Sequence, residues 1–97
     1  MTYIDDLTDD LAREVRADLL PPGDPRGLFR LYALLALAKG VDVTAEDVHN
    51  AWAVWMSETD PNHRSLRPFA ELDADTRAAD EPFVDAIRRI ASDRSPP

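Results

Sequence analysis

The chain has 97 residues, a hydrophobic fraction of 44% and a net charge of −8, from 19 acidic and 11 basic side chains. That length suits one domain with a packed core. The absence of cysteine excludes disulfides, thiolate catalysis and cysteine-ligated zinc, and the acidic field argues against binding to nucleic-acid polymers.

The first residues, MTYIDDLTDDLAREV, carry no basic segment followed by an apolar one, so a signal peptide is not expected. Residues 3–20 read as an amphipathic helix, because Ile4, Leu7, Leu11, Val15 and Leu19 recur at three- and four-residue steps. Thr2 with Asp5 resembles an N-terminal cap, and the early acids oppose the positive end of the helix dipole. The segment PPGDPRG then reads as a turn-rich linker.

A second helix is expected over 28–39, ended by Gly40 with Lys39 in its last turn. Leu28, Phe29, Leu31, Tyr32, Leu34, Leu35 and Leu37 cover most of its circumference. That pattern suits the centre of a bundle or, alternatively, a homodimer seam. Its apolar run, Leu31 to Ala38, is far shorter than the ~20 residues of a membrane span. No membrane partner is expected, and a cytoplasmic location is.

Thr44 with Asp47 fits a capping box, with Asp in the place usually held by Glu, and opens a third helix to about Glu58. TDPNHRSLRP is a loop, FAELDADTRAAD supplies one or two helical turns, and Asp80, Glu81 and Pro82 open a final helix with Phe83, Ile87 and Ile90 on its buried stripe. The last residues, SDRSPP (92–97), read as a frayed tail, with 93–97 expected to be disordered. No segment alternates with a two-residue period. The expected fold is all-α: one small orthogonal bundle of four to five helices, with 1–44 as an N-terminal helical pair and 45–92 as the second part.

Both tryptophans and both histidines fall between Val48 and Asp73. Val48, Trp52 and Trp55 share one helical face; Trp52 is assigned to the core, and Trp55 to its edge or to a pocket. His49 is either a histidine bonded to a backbone carbonyl or carboxylate, or a ligand donor. His49 and His63 are separated by a helix and a loop, so no metal site is assigned. No cofactor is implied. No carboxylate pair stands out for acid–base work, and no glycine-flanked serine occurs. An enzymatic role is therefore not expected.

His63, Arg64 and Arg67 gather positive charge in an acidic chain, and arginine's planar fork suits phosphate or carboxylate. With Phe69 or a tryptophan to stack a planar group, the candidate ligand site is His49, Trp55, His63, Arg64, Arg67 and Phe69. The alternative is that these arginines pair with neighbouring acids.

His-Asn-Ala-Trp on a helix, followed by a loop running Asn-His-Arg-Ser-Leu-Arg-Pro-Phe-Ala-Glu-Leu, resembles the ryanodine-receptor repeat domain. His49 and Trp52 correspond to its first motif, and His63, Leu66, Pro68, Phe69 and Leu72 to its second. The likeness covers roughly 45–92. Here the linker is shortened to SETDPN, and Arg64 follows the loop histidine in place of a proline. The N-terminal half is similar to small proteins of actinobacteria and their phages, in keeping with ten arginines to one lysine. What the resemblance implies is a non-enzymatic module that recognises a small anionic, nucleotide-like molecule. The competing expectation is an assembly domain that dimerises through helix 28–39 and holds no ligand.

Overall fold

A computed structural model describes residues 2–20 and 24–94; Pro21, Pro22 and Gly23 of the expected linker and residues 95–97 of the expected tail lie outside them. Among the described residues there are five α-helices and no strand: α1 Tyr3–Glu14, α2 Arg26–Ala38, α3 Ala45–Thr59, α4 Ala74–Ala78 and α5 Glu81–Arg94. Single 3-10 turns at Ala17–Leu19, Gly40–Asp42 and Phe69–Glu71 connect them. The fold is a small all-α bundle.

Both expected caps form. The Asp5 amide donates to Thr2 Oγ1 at 3.3 Å while the Thr2 amide donates to the Asp5 carboxylate at 3.1 Å. These bonds, with Arg26 and Arg30 nearby, hold the Asp5 carboxyl below its ordinary range. At α3 the Asp47 amide donates to Thr44 Oγ1 at 3.2 Å, and the Thr44 amide returns a bond to Asp47 at 3.0 Å. Aspartate therefore closes a capping box as glutamate does, because the reach needed is a single turn. Gly40 ends the α2 segment at φ +59°, a conformation that costs glycine nothing.

The first helix is shorter than the 3–20 expected. It stops at Glu14, Val15 is extended (φ −100°, ψ 137°), and the chain re-coils as the turn Ala17–Leu19. The break turns Val15 into the core while Leu19 leaves the α1 stripe altogether. Leu20 precedes Pro21, and a residue before proline is pushed out of the helical region, so a helix to residue 20 had no stable last turn.

Helix α2 is the central element, packed against α1, α3 and α5. Leu28, Phe29, Tyr32, Ala33 and Ala36 are buried, and Phe29, Tyr32 and Phe83 of α5 form an aromatic triad with centroids 5.5–6.4 Å apart. The rest of the core includes Leu7 and Leu11 from α1, Val15 after it, Val43 and Val48 around the start of α3, and Val84, Ala86, Ile87 and Ile90 from α5. The wrap-around apolar pattern of α2 divides in two, for Leu34 and Leu37 remain 57% and 47% exposed. The Arg88 guanidinium reaches back from α5 to donate two bonds to the Val43 carbonyl, at 2.8 and 3.2 Å, fixing the α2–α3 connection. Exposed ion pairs (Asp9–Arg26 at 2.7 Å, Glu14–Arg89 at 3.0 Å) tie α1 to α2 and α5, each worth ~0–1 kcal/mol.

Replacing Thr44 by alanine removes the α3 cap beside the buried Val43 and Val48. It should lower stability by about 1 kcal/mol, read as a shift in urea midpoint at unchanged slope. Thr2→Ala, at an exposed cap, should cost less.

Candidate functional site

The loop after α3 folds back onto the helix that precedes it. Its turns are local: the His63 amide donates to the Asp60 carbonyl at 3.0 Å, and the Leu66 amide to the His63 carbonyl at 3.1 Å. The Ser65 amide donates to His63 Nδ1 at 3.0 Å, which places the proton of the neutral ring on Nε2. The return is closed by His49, which is only 3% exposed and whose Nε2 lies 2.7 Å from the Arg67 carbonyl. A carbonyl only accepts, so this bond sets the Nε2–H form and leaves Nδ1 as the ring's other polar atom.

Trp52 sits between the two histidines. Its ring stacks on His49 (centroids 5.5 Å apart, 27° between planes) and meets His63 edge-on at 5.0 Å. Phe69 supports the far side of His49 at 6.1 Å and is capped by the Arg77 guanidinium at 5.5 Å. Arg77 also donates to the Ala70 carbonyl at 2.7 Å.

The rings of His49 and Trp52 form one wall of a cleft of about 230 Å³. Leu28, Tyr32 and Phe83 supply apolar and aromatic surface, His49 and Trp52 stand opposite on α3, and Leu19, Ser65, Thr76 and Ala79 complete the lining with Asp80. Asp80 is the unusual member: its Oδ2 is buried and meets no hydrogen-bond donor. Burial is the main reason its carboxyl is pushed up to about 6; Glu81 adds to the rise, and the His49 charge opposes it. Tyr32 is raised in turn, first by its own burial and then by Asp80.

The local chain explains why Asp80 is unsatisfied. It occupies the position before the first residue of α5, and its carbonyl accepts from the Val84 amide at 3.1 Å. An aspartate there normally caps the helix by accepting from the amide two or three residues on. Two residues on is Pro82, which has no amide hydrogen, and the Phe83 amide is spent on the Asp80 carbonyl at 3.1 Å. The carboxylate is left without a capping role and faces the cleft.

Alongside lies a polar groove of about 420 Å³ bordered by Arg64, Arg67, Glu71 and Asp73. Ser65 and Thr76 line both hollows, so the two adjoin. Arg67 pairs with Glu71 at 3.4 Å. Asp73 caps α4 by accepting from the Thr76 amide at 2.8 Å, which, with help from Arg64 and Arg77, holds its carboxyl low.

Of the six residues picked from the sequence, His49 alone lines the cleft. Arg64 and Arg67 border the groove, His63 and Phe69 support the rings behind the wall, and Trp55 packs elsewhere. A methyl group placed on Gly27 would lie 3.3 Å from Trp55 Cδ1, so that indole rests against the α2 backbone. Sequence reasoning missed Asp80, Tyr32, Thr76 and Phe83 and assigned Trp52 to packing alone. For Asp80 a signal existed in Asp80-Glu81-Pro82, a capping residue deprived of its donor. Among the described residues, no cluster of three or more potential metal ligands occurs and no helix is long and apolar enough to cross a membrane.

Asp80 gives a pH signature with a definite sign. Its native carboxyl titrates at about 6 against 3.8 when unfolded, so the native state binds the extra proton between those values. Stability from this group is complete below about pH 4 and lost as pH rises through 6. Wild type should gain on the order of 1 kcal/mol between pH 7 and pH 5 relative to Asp80→Asn, measured by urea denaturation of both proteins at each pH.

A family model described as Domain of unknown function (DUF7701) matches residues 2–92. No curated protein and no solved structure matches.

Proposed function

The chain belongs to the DUF7701 family of domains of unknown function, and we propose that it is a non-enzymatic recognition module for a small two-part ligand. A planar part enters the cleft, and an anionic part lies in the arginine-bordered groove. The observation that carries this reading is that the two hollows adjoin, with Ser65 and Thr76 lining both. One side offers flat aromatic faces, and the other offers two guanidinium groups whose fork fits phosphate or carboxylate. A nucleotide-like molecule has that division of chemistry. The likeness of His49, Trp52, His63 and Phe69 to ryanodine-receptor repeat motifs supports the same reading, since these residues build the cleft wall or back it.

A binding role is favoured over catalysis because His49 Nε2 is committed to a backbone carbonyl and, among the described residues, no serine or threonine hydroxyl bonds to it. A cytoplasmic setting belongs to this proposal, where a signalling nucleotide of a host or a phage would be met.

The test is titration of mono-, di- and cyclic nucleotides into wild type and into Arg64→Ala/Arg67→Ala. Binding should weaken at least tenfold in the double variant while its thermal unfolding stays unchanged. Retained affinity in a folded double variant removes the groove from the site. Glu71→Gln should strengthen binding by freeing Arg67 from its 3.4 Å pair.

One observation supports a second reading, a homodimer through α2. Leu34 and Val54 are more than half exposed and share a shallow hollow with Leu31, Leu35 and Ala51, and Leu37 lies one turn further along α2. Light scattering at rising concentration should show a dimer that Leu34→Glu dissociates; a strict monomer removes this reading.

A further inference from the structure

The cleft states more about the planar part of the ligand than its shape. Its lining is apolar and aromatic except at a few atoms, and the most demanding of these is the Asp80 carboxylate. A buried carboxylate oxygen without a donor is costly, and buried polar groups in native proteins are otherwise paired. None of the described residues donates to Asp80 Oδ2. Pro82 has no amide hydrogen, the Phe83 amide serves the Asp80 carbonyl, and neither the Thr76 nor the Ser65 hydroxyl donates to Oδ2.

An occupant of the cleft can supply the donor that Oδ2 lacks. We infer that Asp80 reads a flat group presenting two parallel N–H donors, such as the N1–H and 2-amino pair of a guanine-type base or the fork of an amidinium. This rests on the two-part ligand proposed above and specifies its planar end.

Three features select that chemistry. A carboxylate accepts a planar fork through both oxygens at once, which a tetrahedral ammonium cannot match. Trp52, Tyr32 and Phe83 offer ring faces or edges to a flat group whose edge meets Asp80. The volume, about 230 Å³, is below the ~300–1,000 Å³ of sites for drug-sized ligands, so one ring system enters and the remainder lies outside the cleft, where the adjoining groove can take it. A base edge with a donor beside an acceptor, as in adenine, would set a lone pair against one carboxylate oxygen. Such an edge fits only the protonated acid.

The groups around Asp80 agree. His49 faces it from α3, Tyr32 from α2 and Glu81 from the first residue of α5, and His49 is the one whose charge favours the ionised carboxylate. Ligand binding through two donors should therefore weaken as pH falls through the range where Asp80 takes up its proton.

The experiment is calorimetric titration at pH 7.5 of guanosine 5′-monophosphate, inosine 5′-monophosphate, adenosine 5′-monophosphate and benzamidine into wild type and Asp80→Asn, with thermal unfolding of both. The inosine compound lacks only the 2-amino group, so the guanosine compound should bind 10- to 100-fold tighter, as expected for one hydrogen bond to a charged acceptor. Asp80→Asn should abolish that difference while remaining folded, since it removes an unpaired buried charge. Equal binding of all three nucleotides, unaffected by Asp80→Asn, overturns the inference and leaves the two-part ligand standing. A preference for the adenosine compound overturns the two-donor edge. Benzamidine binding that Asp80→Asn removes, with no nucleotide bound, supports the role of Asp80 and overturns the anionic groove. No binding of any probe to folded protein overturns both.

Discussion

The bond from His49 Nε2 to the Arg67 carbonyl, at 2.7 Å, holds the middle of this protein in register. One end is a nearly inaccessible imidazole on α3; the other is the backbone of a loop with little apolar surface of its own. Burying a ring nitrogen without a partner costs about 1–3 kcal/mol, so once α3 packs, the loop has one favourable place to lie. That placement sets everything downstream. It brings Phe69 against the imidazole, sets His63 edge-on to Trp52, and stations Ser65 on the border shared by the cleft and the groove. A histidine bonded to a backbone carbonyl is usually a packing device. Here it is also the wall of the cleft.

The opposite side of the cleft breaks a local rule. Capping, helix propensity and core pattern agree along α1, α2 and α3, and the chain follows them. At Asp80 they conflict: the residue has the right identity for a cap and the wrong successor, because Pro82 withholds one amide and the first turn uses the other. Natural chains tolerate such conflicts mainly at functional sites, where stability is given up for a preset geometry. The cost is offset nearby. Phe83, three residues on, anchors the same turn in the aromatic triad with Phe29 and Tyr32, so α5 starts firmly although its cap is absent.

What could be read from the sequence divides along the same line. Both capping boxes, the Gly40 stop, the stripe of Phe83, Ile87 and Ile90 and the all-α class follow from spacing and residue type, because short-range physics decides them. The end of α1 does not, since Leu19 continues the helical period of Leu11 and Val15 without a break; only the restriction before Pro21 and the pull of the cleft set it apart. The two tryptophans show the same limit. One helical face holds both, and tertiary packing alone decides that Trp55 rests on the Gly27 backbone while Trp52 borders the cleft. The arginines attracted attention through their charge, yet charge says nothing of which hollow a side chain borders. Asp80 was hidden among nineteen acids, and what separates it is a missing donor, which composition does not record.

The cleft draws on more of the chain than the ryanodine-receptor likeness covers. That likeness lies in 45–92 and holds His49, Trp52, Ser65, Thr76, Asp80 and Phe83. Leu19, Leu28 and Tyr32 come from the other half, and Tyr32 is the phenol whose ionisation Asp80 opposes. Without α2 the cleft would lose the surface that buries Asp80, and the carboxyl would return to water and to its ordinary range. A segment cut at residue 45 would keep the motifs and lose the chemistry. The family match over residues 2–92 spans both contributions.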